Sequence, residues 1–290
     1  MTDEKDEPEP PTVVLTGASS GLGAEAAAML ASQGARLAIV GRNRDRTQQV
    51  ADRVGGEAFV ADFDRLDDVR ELAERLLHRF DRIDVLANNA GGLVSGRALT
   101  VDGNERTIQS NHLAPFLLTG LLLPRLIESG RAGRAARVVS TASVANLFGR
   151  LRLDDLNWEQ RRYGSGFRPY GTSKLATILF VRELAERLTG TGVRAYSFHP
   201  GTVVTNFGKS NAFIRLGDTV TRGRYGISAA EGALPLVALA GSTPVGAPSG
   251  TYFDRLRAGG RVNRQARDAQ LGRDLWALSA ELVGLDPAIP

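Results

Sequence analysis

Thr12-Val-Val-Leu-Thr16, a short apolar and β-branched run, passes directly into Gly17-Ala-Ser-Ser-Gly21-Leu-Gly23 and then into a helical segment reaching Gln33. Strand, glycine turn and helix in this order restrict the fold strongly, because each glycine has its own steric task. Gly17 permits the tight turn, and Gly21 lets backbone N–H groups approach a bound pyrophosphate. Gly23 lets the helix pack closely, and the helix N-terminus supplies an anion site. Ser19, Ser20 and Leu22 complete this turn and are candidates for the same cradle.

The alternation continues along the chain. Arg36 to Val40 reads as a second strand, followed by Gly41-Arg42-Asn43-Arg44 and a helix from Asp45 to Val54. Glu57 to Ala61 reads as a third strand ending at Asp62-Phe63, with an amphipathic helix from Leu66 to Phe80. Ile83 to Ala87 is a fourth strand running into Asn88-Asn-Ala90-Gly91. A long, mostly core-facing helical stretch from Asn104 to Ile127 contains Asn111, where a satisfied buried amide is the plainer reading. Arg137 to Ser143 is a fifth strand with a hydroxyl at its end, and Val193 to Phe198 a sixth leading to His199-Pro200-Gly201. Glu231 to Ala240 reads as helix, Gly250 to Phe253 as a seventh strand and Ala266 to Leu285 as a closing helix.

Strands alternating with helices of this length predict an α/β fold, a single domain over 12–290 with a doubly wound parallel sheet of about seven strands flanked by helices. Ligands bind beyond the carboxyl ends of such strands, where Gly17, Arg42, Asp62 and Asn88 fall together. The segment 206–228, Gly- and Arg-rich, reads as a lid. Residues 1–11, acidic and Pro-rich, read as a disordered tail with no signal peptide or membrane anchor.

Composition excludes several classes. There is no cysteine, so thiolate nucleophiles, disulfides and Cys-ligated zinc are ruled out, and a cytoplasmic setting is expected. No metal site is expected. The net charge of +4 is spread over scattered arginines with no basic block interleaved with aromatics, which argues against nucleic acid. The longest apolar run, Leu113 to Ile127, is interrupted by Pro115, Pro124 and Arg125 and is short for a membrane span.

Tyr170 and Lys174 open a helical run through Leu188 and lie one turn apart on one face. A phenol and an ammonium held together make an acid–base unit, the cation favouring phenolate and drawing its pKa toward neutral. The bland alternative is a surface Tyr and a surface Lys at a helix start. Against it, lysine occurs only at Lys5, Lys174 and Lys209 in a chain with 36 basic Lys and Arg residues. At the end of the second strand, Gly41 and Arg42 stand where an NAD-selective fold places a carboxylate for the ribose hydroxyl. Arg42 and Arg44 could instead pair with a 2′-phosphate, so NADP(H) is expected over NAD(H), with Arg42 and Asn43 at the contact.

Thr16-Gly-Ala-Ser-Ser-Gly-Leu-Gly23, Asn88-Asn-Ala-Gly91, Asn111, Ser143, Tyr170-x-x-x-Lys174 and Pro200-Gly201 occur in an order that resembles the short-chain dehydrogenase/reductase family, a Rossmann fold. The resemblance runs from Pro11 to about Phe253. Asp155-Leu-Asn157, the run from Tyr170 to Phe180 and His199-Pro-Gly-Thr-Val203 are similar to its retinol-dehydrogenase and WW-domain-oxidoreductase-like branch.

The resemblance implies that Tyr170 is the acid/base and that Lys174 lowers its pKa and binds the nicotinamide ribose. It implies that Ser143 binds the substrate oxygen and that Asn111 holds a water linking Lys174 to solvent. Asn88 would line the cofactor cleft, Asp62 would meet the adenine and Thr205 would reach the carboxamide. Phe63, Ala90, Gly91, Pro200, Gly201 and Val203 would be further cofactor-binding residues. Two departures stand out: Thr141-Ala-Ser143 replaces a more usual pair of serines, and the N-terminus lacks the anchoring segment of many animal members. A homodimer or homotetramer is a family expectation.

The expected activity is NADP(H)-dependent interconversion of a carbonyl and an alcohol on a small-molecule substrate. Phe148, Trp158, Phe167, Phe207, Phe213 and Ile214 in the variable segments suggest a hydrophobic or aromatic one, unless they only pack under loops. Two rival functions are a non-catalytic NADPH-binding sensor and a nucleotide-sugar epimerase or dehydratase. The first typically lacks the Tyr/Lys pair; the second has differently spaced glycines and a larger C-terminal part.

Overall fold

The computed structural model describes residues 10–131, 135–202 and 226–288. Val203, Thr205, Phe207, Phe213, Ile214, the 206–225 part of the expected lid and residues 1–9 of the expected tail lie outside the described residues.

Strand β1 (Thr12–Thr16) is buried along its whole length, which explains its continuous apolar reading: both faces of the sheet are covered. Around it the order is β3-β2-β1-β4-β5-β6-β7-β8. These are β2 (Arg36–Gly41), β3 (Glu57–Val60), β4 (Val85–Asn88), β5 (Ala136–Thr141), β6 (Val193–His199), β7 (Tyr252–Asp254) and β8 (Arg257–Ala258). The pairs from β3 through β7 are parallel and β7–β8 is antiparallel. The order reverses at β1, between β2 on one side and β4 on the other, the crevice where doubly wound sheets bind ligands. The eighth strand was not expected; two residues are too few to show a period.

Helices α1 (Gly21–Ser32), α2 (Arg44–Val54) and α3 (Leu66–Arg79) follow the first three strands. Asn43 caps α2 by accepting from Arg46 N at 2.9 Å, and Gly55 ends it in the left-handed region. The long helix expected over 104–127 has three parts. A short turn, α4 (Arg106–Ile108), is capped by the Glu105 carboxylate; a π-helical bulge, Gln109–Leu113, follows and passes into α5 (Ala114–Arg131). The stretch Arg106–Gly130 is long and apolar enough to cross a membrane by length and composition alone, and 61% of its most apolar window is buried inside the fold. It is a core helix here: Leu113, Phe116, Leu117, Leu122 and Leu126 belong to the largest hydrophobic cluster.

Among the described residues the remaining helices are α6 (Phe167–Arg187), α7 (Ala229–Ala240) and α8 (Ala269–Val283). A capping box between Ser228 and Glu231 starts α7. The fifth strand stops at Thr141 rather than Ser143, because Ser143 caps the 3₁₀ turn Val144–Phe148, its Oγ accepting from Ala145 N at 3.2 Å.

Candidate active site

The turn that Ser143 caps lies on the first turns of α6 through a glycine contact. A Cβ on Gly149 would stand 2.5 Å from Gly171 O, and one on Gly171 would stand 2.6 Å from Ala145 O. Only glycine permits that approach, and it brings Ser143 to Tyr170. Their side chains are hydrogen-bonded. Lys174, one turn further along α6, is buried with 4% exposure, and its ammonium donates to Thr141 O at 2.8 Å. Its nitrogen lies 5.7 Å from the centroid of the Tyr170 ring.

Burial pushes the Lys174 ammonium down to about 8. The Tyr170 phenol is pushed above its ordinary value by burial, which outweighs the opposing hydrogen bond from Ser143. This corrects the expectation that Lys174 draws the phenol toward neutral. The ammonium is directed at the Thr141 carbonyl and over the ring, and in this arrangement desolvation decides the direction.

Asn111 sits inside the π-helical bulge, which turns its amide away from a regular helical path. Its Oδ1 accepts from Gly92 N at 2.7 Å, while Nδ2 donates to Gly92 O and to Ser173 Oγ, both at 2.9 Å. A Cβ on Gly91 would stand 2.7 Å from Asn111 Oδ1 and 3.4 Å from Lys174 Nζ. Asn111, Gly91 and Lys174 therefore converge. Asn111 is the satisfied buried amide of the plainer reading and also lies at the site.

On the cofactor side, a Cβ on Gly23 would stand 2.3 Å from Gly17 O, and one on Gly17 would stand 2.7 Å from Ala90 Cα. The turn is thus locked against the loop after β4. Thr16 Oγ1 reinforces this by accepting from both Asn89 N and Ala90 N at 3.0 Å. Helix α1 carries no acidic residue in its first turn and Ser20 makes no side-chain cap. Its first N–H groups remain for an external anion, so the cradle fits a dinucleotide pyrophosphate. Ser19, Gly21 and Leu22 are half-buried around it.

At the end of β2 the Arg42 side chain is 65% exposed, 3.7 Å from Asp64 and 3.9 Å from Asp62. No carboxylate occupies Gly41, Arg42 or Asn43, which fits a phosphorylated ribose. Asn43 uses its carbonyl oxygen to cap α2. Asp62 Oδ1 accepts from Asp64 N at 3.1 Å, and the Phe63 ring is buried in the core, so only its backbone can face a ligand. Asn88 is buried at the end of β4 and donates to Thr119 Oγ1 at 3.0 Å. Pro200 and Gly201 follow β6, with Gly201 at φ +101°. Thr141, Ser173 and Thr16 had not been assigned roles. Thr16 opens the glycine motif and Ser173 adjoins Lys174, but Thr141 acts through its backbone carbonyl, which no residue type announces. Among the described residues no group of three or more His, Asp or Glu side chains could hold a metal.

Residues 11–153 match the family model for short chain dehydrogenase. A relative from Streptomyces sp. (strain C5), carrying the name daunorubicin C-13 ketoreductase, is 42% identical over 94% of this chain and 92% of its own. Human retinol dehydrogenase 13 is 35% identical over 95% of this chain and 85% of its own. RhlG of Pseudomonas aeruginosa, solved as an NADP active-site complex, superposes with a TM-score of 0.67 at 27% identity over 84% of this chain and 93% of that one. By these similarities and by the Ser143, Tyr170, Lys174 and Asn111 arrangement, the chain is an oxidoreductase of the short-chain dehydrogenase/reductase family, in the branch of the retinol dehydrogenases.

Proposed function

We propose that the protein is an NADP(H)-dependent enzyme that reduces a ketone or aldehyde to an alcohol, or runs the reverse, on a hydrophobic small molecule. The observation that carries this reading is the hydrogen bond between Ser143 and Tyr170 above a buried Lys174. When bound, the reduced nicotinamide supplies the hydride. With substrate bound, Ser143 turns its one hydroxyl proton from Tyr170 to the substrate oxygen, stabilising negative charge as it develops there. Tyr170 gives its phenolic proton to that oxygen, and a phenol kept protonated by burial is suited to the acid role. Lys174, anchored on Thr141 O, holds a buried positive charge beside the Tyr170 ring.

Exposed Arg42, with no carboxylate at the end of β2, favours NADP(H) over NAD(H). For the substrate, Phe148 is 64% exposed and Phe167 39% exposed, their ring centroids 5.7 Å apart. They belong to the turn that Ser143 caps and to the α6 turn before Tyr170, so an apolar substrate would meet them beside the acid. Trp158 is withdrawn from this role: it is 4% exposed and lies under the Arg161 guanidinium at 3.9 Å. The names of the relatives, a C-13 ketoreductase and a retinol dehydrogenase, support carbonyl–alcohol chemistry.

The test is NADPH oxidation against a panel of aromatic ketones, aldehydes and quinones. The reading expects turnover of at least one class, faster with NADPH than with NADH. Cofactor binding without turnover of any class would contradict it and favour a sensor.

A further inference from the structure

Asn88 and Ser140 are register partners at the carboxyl ends of β4 and β5, and His112 faces them from the π-helical bulge. All three are buried, with exposures of 4%, 2% and 2%. Each nevertheless keeps one side-chain atom without a partner among the described residues: Asn88 Oδ1, Ser140 Oγ and His112 Nδ1. The three residues line one cavity of about 10 Å³, together with Asn111, Thr141 and Phe180. That is about the room one water molecule needs, and a buried water typically makes two to four hydrogen bonds.

The surrounding bonds decide what Asn88 presents, and the tautomer decides it for His112. Thr119 Oγ1 donates to Pro115 O at 2.7 Å, so it accepts from Asn88 Nδ2, and the Asn88 oxygen is the atom left over. His112 Nε2 meets Ser279 Oγ at 2.8 Å on α8. With Nε2–H donating there, Nδ1 is an acceptor. In that tautomer a single water satisfies all three groups by donating twice and accepting once; with Nδ1–H instead, it accepts from His112 and Ser140 and donates to Asn88.

We infer that Asn88, Ser140 and His112 hold one buried water beneath the site, and that Ser140 and His112 act through it as positioning residues. Ser140 precedes Thr141, whose carbonyl receives the Lys174 ammonium, and His112 follows Asn111, which holds Gly92 and Ser173. The water ties two strand ends to the helical bulge at the point where both chains enter the site. Losing it lets the Thr141 carbonyl and the Asn111 amide drift relative to Tyr170.

The direct test is a high-resolution crystal structure of the NADP-bound protein. It should show one ordered water within hydrogen-bond distance of Asn88 Oδ1, Ser140 Oγ and His112 Nδ1. Well-resolved side chains with no water among them would overturn the inference. This readout is independent of the reaction proposed above, and of whether any variant folds. Kinetics supply the second: Ser140→Ala and His112→Phe should each lower kcat about tenfold with KM for NADPH within about twofold. Because both act through one water, the double variant should be no worse than the weaker single variant; effects that multiply would refute the shared role.

Discussion

Lys174 Nζ donates to the carbonyl of Thr141 at 2.8 Å, so the ammonium on α6 is fastened to the end of the fifth strand. The bond crosses from helix to sheet and sets where the charge lies relative to the Tyr170 ring. It also makes the charge a stability liability, since burial lowers its pKa to about 8.

From that shift a pH dependence follows. Below pH 8 both folded and unfolded Lys174 are protonated, and the full burial penalty is present. Between pH 8 and the ordinary value near 10.5 the native state releases the proton first, so stability rises with pH. Urea unfolding at pH 7.5 and 9.5 should show wild type gaining about 2 kcal/mol relative to Lys174→Met. Equal pH dependence in the two proteins would refute it.

His112 carries the opposite edge of the pH range. Burial holds its imidazole down to about 4, so below pH 6.5 the unfolded chain takes up a proton that the native chain refuses. Stability is complete above pH 6.5 and is lost as pH falls toward 4. Between pH 7 and 5 the loss due to this group should be about 2 kcal/mol, and should be missing in His112→Phe.

Gly23→Ala tests the cradle. The new Cβ would stand 2.3 Å from Gly17 O and 2.9 Å from Ala18 Cα, both backbone atoms that cannot swing aside. Helix α1 must shift, at a cost of about 2 kcal/mol in stability. NADPH affinity should fall more than about tenfold in a fluorescence titration. Unchanged binding would mean the turn does not hold the pyrophosphate.

Arg42→Asp tests cofactor choice. A carboxylate at this exposed position repels a 2′-phosphate and can accept from a ribose hydroxyl. The ratio of kcat/KM for NADPH over NADH should fall about a hundredfold. An undiminished ratio would remove Arg42 from the 2′-phosphate site.

Much of this was legible because residue identity and chemistry coincide. Gly17 and Gly23 are required by backbone contacts no other residue tolerates, and Tyr170 and Lys174 share a helix face whatever the rest does. What was missed depends on three-dimensional detail. Ser143 continues the run from Arg137 that reads as strand, yet its side chain caps the following turn and ends the strand. The pKa direction of Tyr170 could not be read from spacing, because the lysine's acceptor is a backbone carbonyl over thirty residues away in the chain. Trp158 carries no mark separating a substrate wall from a packed ring; its positive φ of 56° and the Arg161 stack appear only in the fold.

The central claim concerns the Tyr170 hydroxyl. Tyr170→Phe keeps the ring and removes only the oxygen that Ser143 bonds and that would deliver the proton. Single-turnover reduction of an accepted ketone, with NADPH binding measured in parallel, tests it most directly. The account predicts NADPH affinity within about twofold of wild type and a rate lower by about a thousandfold. A variant that reduces the ketone at the wild-type rate would contradict it.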